Sequence, residues 1–251
     1  MYSVEHAISL VLENKVKTRT DRLRKINKEL DTYLYRASHD VRRPILTILG
    51  LVQIASLVPE KEREEIFDAI QKTATGMDKM LRKLQMAYAL EKVGKRNIVP
   101  IDINKHIALE IEEIRHDYPA MQIQIVEIDH IVANSNIHLI DIILTNILEN
   151  ACMFSKSVND HITITIRREN DYASILIKDQ GIGIEEEYLE KIFEPYVRCS
   201  VKSAGSGLGL YLARKAAKRM GGSISVASVI NHGAEFAITI PIETKINKKE
   251  R

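Results

Sequence analysis

The chain has 251 residues, 45% of them hydrophobic and 28% charged, with a formal net charge of +2, which supports one large or two modest folded domains and gives no electrostatic drive toward nucleic acid. Tryptophan is absent, and Cys152 and Cys199 have neither disulfide-framework nor zinc-ligand spacing, so stacking platforms and metal knuckles are excluded and a reduced, cytoplasmic setting fits best. No apolar run approaches the ~18 residues that span a bilayer and the N-terminus lacks a signal-peptide pattern, so the expectation is a soluble protein or the cytosolic portion of something longer.

Residues 1 to about 30 are rich in Lys, Arg, Glu and Leu and read as a coiled-coil lead-in. Leu23, Ile26, Leu30, Tyr33 and Ala37 step by 3, 4, 3, 4, a heptad seam. The apolar series continues through Val41, Ile45, Ile48, Val52 and Ala55, with two four-residue steps in succession at 37, 41 and 45 that act as a stutter. His39 lies two residues from both Ala37 and Val41 and points away from this face. Pro44 removes one backbone donor, so the Asp40 carbonyl loses its helical partner and a kink beside the histidine is expected.

Pro59 is expected to end this first helix. Acidic residues then crowd the start of a second, whose Ile66, Ile70, Thr73, Met77, Met80, Leu84 and Ala87 form a strict heptad seam. Two such helices joined by a short turn make a hairpin over residues 31–93, and a hairpin alone leaves apolar surface uncovered. A homodimer, closing a four-helix bundle, is the simplest remedy.

Gly94-Lys95-Arg96-Asn97 reads as a linker, and residues 98–243 change period. Residues 98–101 resemble an edge strand, and 104–117 an amphipathic helix capped by Asp102 or Asn104. Alternating runs at 122–128, 161–168, 173–178, 223–227 and 235–240 predict strands, with helices at about 137–153 and 207–220. This mixed order predicts a two-layer α/β sandwich rather than a doubly wound sheet.

Three clusters in this half carry chemistry. Asp179-Gln180-Gly181-Ile182-Gly183 follows a strand, and a strand-end aspartate among glycines can accept a hydrogen bond from an amino group. Gly205-Ser206-Gly207-Leu208-Gly209-Leu210 opens a helix, where bare N–H groups and the positive dipole end suit phosphate. Asn146 and Asn150 share a helical face with Glu149 beside them, and their amide oxygens suit a hard cation such as Mg2+.

Taken together, the chain resembles the sensor histidine kinases of two-component systems. Residues Ser38 to Pro44 match the family's H box and Asn146 to Ala151 its N box. Asp179 to Gly183 match the G1 box, Ile192 to Tyr196 the F box, and Gly205 to Leu210 the G2 box. The five motifs, in order, cover residues from about 33 to 241. The resemblance implies a dimerisation and histidine-phosphotransfer hairpin followed by a Bergerat-type ATP-binding domain of the GHKL superfamily.

It also implies roles. His39 would receive the γ-phosphoryl group of ATP, with Asp40 accepting a hydrogen bond from its other ring nitrogen. Asp179 would hold the adenine amine, with Gly181 beside it and Gly183 allowing close approach. Asn150 would ligate Mg2+ and Asn146 would support the metal or its waters. Gly205, Gly207, Leu208 and Gly209 would border the phosphates at the hinge of a lid, and Arg198 would contact phosphate. The phosphoryl group would pass to an aspartate of a response-regulator receiver domain.

Two departures stand out. Where the family often carries a lysine three residues after the metal asparagine, this chain has Met153, with Lys156 and Lys202 as conceivable substitutes. Four residues after the histidine, where members that dephosphorylate their regulator often have Thr or Asn, stands Arg43, so weak phosphatase activity is expected. Against the kinase stand a docking hairpin with a degenerate nucleotide domain, for which Met153 speaks, and a serine kinase acting on anti-sigma antagonists or an ATPase module of the gyrase or chaperone kind, against which the H box on a dimeric hairpin speaks.

Overall fold

The computed structural model describes residues 16–20, 40–92, 98–155, 157, 160–199 and 207–243. The seam before residue 38, His39, Lys156, Lys202 and Gly205 lie outside them. Contacts divide the chain into two units, Met1–Lys79 and Met80–Arg251.

In the first unit, residues 16–20 are helical and residues 40–55 form helix α1. Among its half-buried positions, Val41, Pro44, Ile48, Leu51 and Ala55 continue to Val58 in the turn at steps of 3, 4, 3, 4 and 3. The seam therefore keeps a heptad period through Pro44 and Leu51. Ile45 and Val52, expected on the buried face, are instead 40% and 53% exposed, and Leu49 is 54% exposed. The heptad step after Val41 falls on Pro44, which turns Ile45 and Val52 outward. The helix closes when Leu57 and Val58 donate backbone N–H groups to the Ile54 carbonyl at 2.9 and 3.2 Å. Pro59 thus stands past the end of α1 and leads into α2 (Glu60–Lys92), its carbonyl accepting from Glu62 N–H at 3.0 Å. Glu60 and Glu62 place negative charge at the positive end of α2. The seam from Ile66 to Ala87 is half-buried throughout, as its spacing predicts.

The second unit begins in the last turns of α2, where Leu90 is fully buried. Strand β1 (Val99–Asp102) pairs antiparallel with β3 (Val132–Ser135) as a separate two-stranded sheet. A five-stranded sheet takes the order β2-β4-β5-β7-β6, formed by β2 (Gln122–Ile128), β4 (His161–Glu169), β5 (Tyr172–Lys178), β6 (Ser223–Ser228) and β7 (Ala234–Pro241). β2 pairs with β4 in parallel and the other pairs are antiparallel. Along β4, Ile162, Ile164 and Ile166 are fully buried while Thr163 and Thr165 are not, the alternation of a sheet covered on one face.

Three helices make the second layer: α3 (Ile103–Asp117), α4 (Ile137–Met153) and α5 (Gly209–Met220). Asp102, not Asn104, caps α3, its side chain accepting from Lys105 N–H at 3.0 Å. Asn104 instead reaches to the Asp129 carbonyl and the Ile131 N–H, at 2.8 and 2.9 Å. This is the two-layer sandwich that the sequence predicts.

A polar clasp joins α3 to α4. His106 and Glu110, four apart on α3, face Asp141 and Thr145, four apart on α4. His106 bonds Asp141 and the Thr145 hydroxyl donates to Glu110 at 2.8 Å. The bond from Asp141 holds His106 above the usual imidazole value, and burial pushes the Glu110 carboxyl up.

Candidate nucleotide-binding site

The second unit holds a cavity lined by residues of α2, α4, the β5 end, the segment from Ile182 to Cys199, and the start of α5. The lining brings together Asn150, Asp179, Gly183, Arg198, Gly207 and Gly209, six of the residues singled out from sequence. Most of the remaining lining is apolar, including Ile182, Ile184, Ile192, Leu210 and Phe236. An apolar slot with a few convergent polar groups is the usual form of a small-molecule site.

Asp179 is fixed at the end of β5 and is 4% exposed. Its Oδ1 accepts the backbone N–H of Gly181 at 2.8 Å and of Ala234 at 3.1 Å. Burial pushes its carboxyl above the usual aspartate value, and the two backbone donors work against that push. Among the described residues Oδ2 takes no hydrogen bond, so it is the oxygen left for a ligand amine. Gly183 has φ +73°, and a Cβ there would collide with the Val229 carbonyl oxygen. The glycine thus admits the turn between β6 and β7 against this loop, a packing reason independent of any ligand.

Helix α4 supplies the opposite wall. Asn150 and Met153 line the cavity, and the Phe154 carbonyl accepts from Ile182 N–H at 3.1 Å, fastening the helix end to the loop after Asp179. Asn146 is 1% exposed. Its Nδ2 donates to the Ile142 carbonyl at 2.7 Å, which leaves Oδ1 facing inward, buried and without a partner among the described residues. Asn146 does not itself line the cavity; its oxygen lies behind the wall, toward Gly209, and a buried acceptor of this kind suits an internal water. Cys152, also on α4, is buried and does not line this cavity; burial, and then the charge of Glu149, pushes its thiol up to about 12.

Helix α5 points its start at the same space. Leu208 provides no side-chain cap, and Gly209 and Leu210 line the cavity, so among the described residues no side-chain cap covers the first backbone N–H groups. Leu208 itself is fully buried and packs rather than lining the cavity. The Tyr196 N–H donates to the Gly207 carbonyl at 2.8 Å, joining the chain on either side of residues 200–206. Arg214 of α5 stacks on the Phe193 ring at 4.7 Å and pairs with Glu190 at 3.2 Å, which anchors the F-box segment.

Sequence reasoning missed Lys83 of α2, which lines the cavity and forms an ion pair with Glu149 at 2.7 Å. Only its place beside the seam residue Leu84 was legible, and that reads as a solvated helix lysine. Asp40 is half-buried in α1, in the other unit. Among the described residues, no helix is long and apolar enough to cross a membrane.

Comparison with known proteins agrees with this geometry. Residues 135–244 match the histidine kinase-, DNA gyrase B- and HSP90-like ATPase family. The autoinducer 2 sensor kinase/phosphatase LuxQ of Vibrio vulnificus is 29% identical over 246 residues, covering 92% of this chain and 27% of that protein. The sensor histidine kinase YclK of Bacillus subtilis is 24% identical over 255 residues, 94% of this chain and 51% of that one. The chain therefore spans well under two thirds of either. A solved complex of the histidine kinase ThkA with the response regulator TrrA aligns with a TM-score of 0.63 at 21% identity, over 87% of this chain and 64% of that chain, a likeness of fold. Residues 135–244 are an ATPase domain of the histidine kinase, gyrase B and HSP90 kind, and the chain is a relative of the sensor histidine kinases of two-component systems.

Proposed function

We propose that this chain is an ATP-dependent protein histidine kinase that phosphorylates its own His39 and passes the phosphoryl group to an aspartate of a response-regulator receiver domain. The observation that carries the reading is the pairing, in one cavity, of the fixed Asp179 carboxylate with Asn150 and the uncapped start of α5. The first suits an adenine amine; the others suit phosphates and a hydrated cation. Asn150 and the unpaired Oδ1 of Asn146 would hold Mg2+ and its waters, and Mg2+ there would offset phosphate charge.

The chain's own residues then do the following. Asp179 and the apolar walls orient the base, and the α5 N–H groups with Arg198 hold the phosphate chain. The unprotonated ring nitrogen of His39 attacks the γ-phosphorus, the bond to the β–γ bridging oxygen breaks, and ADP leaves with that electron pair. Asp40 accepts a hydrogen bond from the other ring nitrogen, which keeps the attacking nitrogen free of its proton. The exposed stripe Ile45, Leu49 and Val52 on α1 supports a homodimer, in which a second hairpin covers it.

Incubating the protein with Mg2+ and γ-labelled ATP tests the reading. Label should enter the wild type and vanish in His39→Ala while ATP binding persists; a labelled His39→Ala protein overturns it.

A further inference from the structure

Within the second unit, the Lys83 ammonium lies 2.7 Å from the Glu149 carboxylate, and both side chains are under one fifth exposed, at 17% and 15%. Glu149 does not itself line the cavity, but it holds the lining residue Lys83 and precedes the lining residue Asn150, so its carboxylate stands just behind that wall. An uncompensated acid there would repel a polyphosphate. One turn further along α4, the half-buried Met153 lines the cavity and offers neither charge nor donor. Among the described lining residues, the cations are Lys83 and Arg198.

We infer that Lys83 is a phosphate-binding residue of the nucleotide site, delivered by the last turns of α2 and supplying the cation that α4 does not. Its ligand is the polyphosphate of a nucleoside di- or triphosphate, and Glu149 is the acid that parks the ammonium. A lysine is suited to this exchange because its ammonium is a point charge with three donors on a flexible stem. It can keep one donor on Glu149 and turn another to a phosphate oxygen. The inference rests on the nucleotide reading above and adds a residue to it.

Affinities of the full chain for ATP and for adenosine, measured by calorimetry with Mg2+, test it. Lys83→Met should weaken ATP about 10- to 100-fold, the span of one lost charge-assisted hydrogen bond. Adenosine, which lacks phosphates, should bind unchanged. Glu149→Gln should keep or improve ATP binding, since it removes the repelling and competing carboxylate, whereas a purely structural ion pair would suffer alike from both substitutions. Adding Met153→Lys to Lys83→Met should restore most of the lost affinity. If Lys83→Met binds ATP as the wild type does, or loses ATP and adenosine equally, the inference is overturned and the nucleotide reading stands. If the wild type binds neither ligand, both fall.

Discussion

The amide oxygen of Asn146 lies 2.8 Å from the position a Cβ on Gly209 would occupy, so the N-box helix and the start of α5 meet through one unpaired oxygen and one missing side chain.

Gly209→Ala should therefore cost about 1–3 kcal/mol of stability through overpacking and, separately, weaken ATP binding by displacing Asn146. Asn146→Ala in the same chain removes the colliding oxygen and should recover the stability but not the binding. Denaturant titration and calorimetry on the two single variants and the double variant read both effects.

Asp179→Asn should fold, because the amide oxygen can still accept from Gly181 and Ala234. Its NH2 would then face the ligand where Oδ2 had been. ATP affinity should fall about 10- to 100-fold, as for a lost bond to a charged acceptor. Inosine triphosphate, with an oxygen in place of the amine, should lose far less, and a competition assay gives the ratio.

The α3–α4 clasp sets a pH dependence. His106 titrates above its ordinary 6.5 and Glu110 above its ordinary 4.5, so the folded state holds protons more tightly than the unfolded at both. The His106 contribution is fully present below pH 6.5 and is lost as pH rises through its raised folded value. Glu110 acts with the same sign from pH 4.5 upward. Calorimetric Tm should fall along this window. His106→Gln should flatten the part that begins at 6.5, and Glu110→Gln the part that begins at 4.5.

Arg43 is exposed on α1, and its own carbonyl accepts from the Thr47 hydroxyl at 3.1 Å. A guanidinium has no acceptor with which to orient a water. The wild type with ADP should dephosphorylate a phosphorylated receiver slowly, and Arg43→Thr should speed that loss by about 10-fold, as a positioned water gains attack geometry.

The sequence made the ATP-binding half largely legible because its strands alternate cleanly and its chemistry sits in local motifs. Asp179, Asn150 and the residues around Gly209 converge as their motifs imply. What escaped has physical causes. β3, Val132–Ser135, is four residues long, too short for a period, and exists through its pairing with β1. The seam of α1 reads through Ile45 by spacing, yet Pro44 is the half-buried residue and Ile45 is 40% exposed, a choice of face that four-residue steps alone do not fix. Lys83 had no local signal at all, because its partner Glu149 is 66 residues away.

The central claim is that ATP bound at Asp179 and Asn150 feeds His39. Mass spectrometry of the protein after ATP and Mg2+, worked up under alkaline conditions that preserve phosphohistidine, reads it directly. One phosphoryl group is expected, on His39, and none in Asn150→Asp. Phosphate on a serine or threonine instead, or on His39 undiminished by Asn150→Asp, would contradict it.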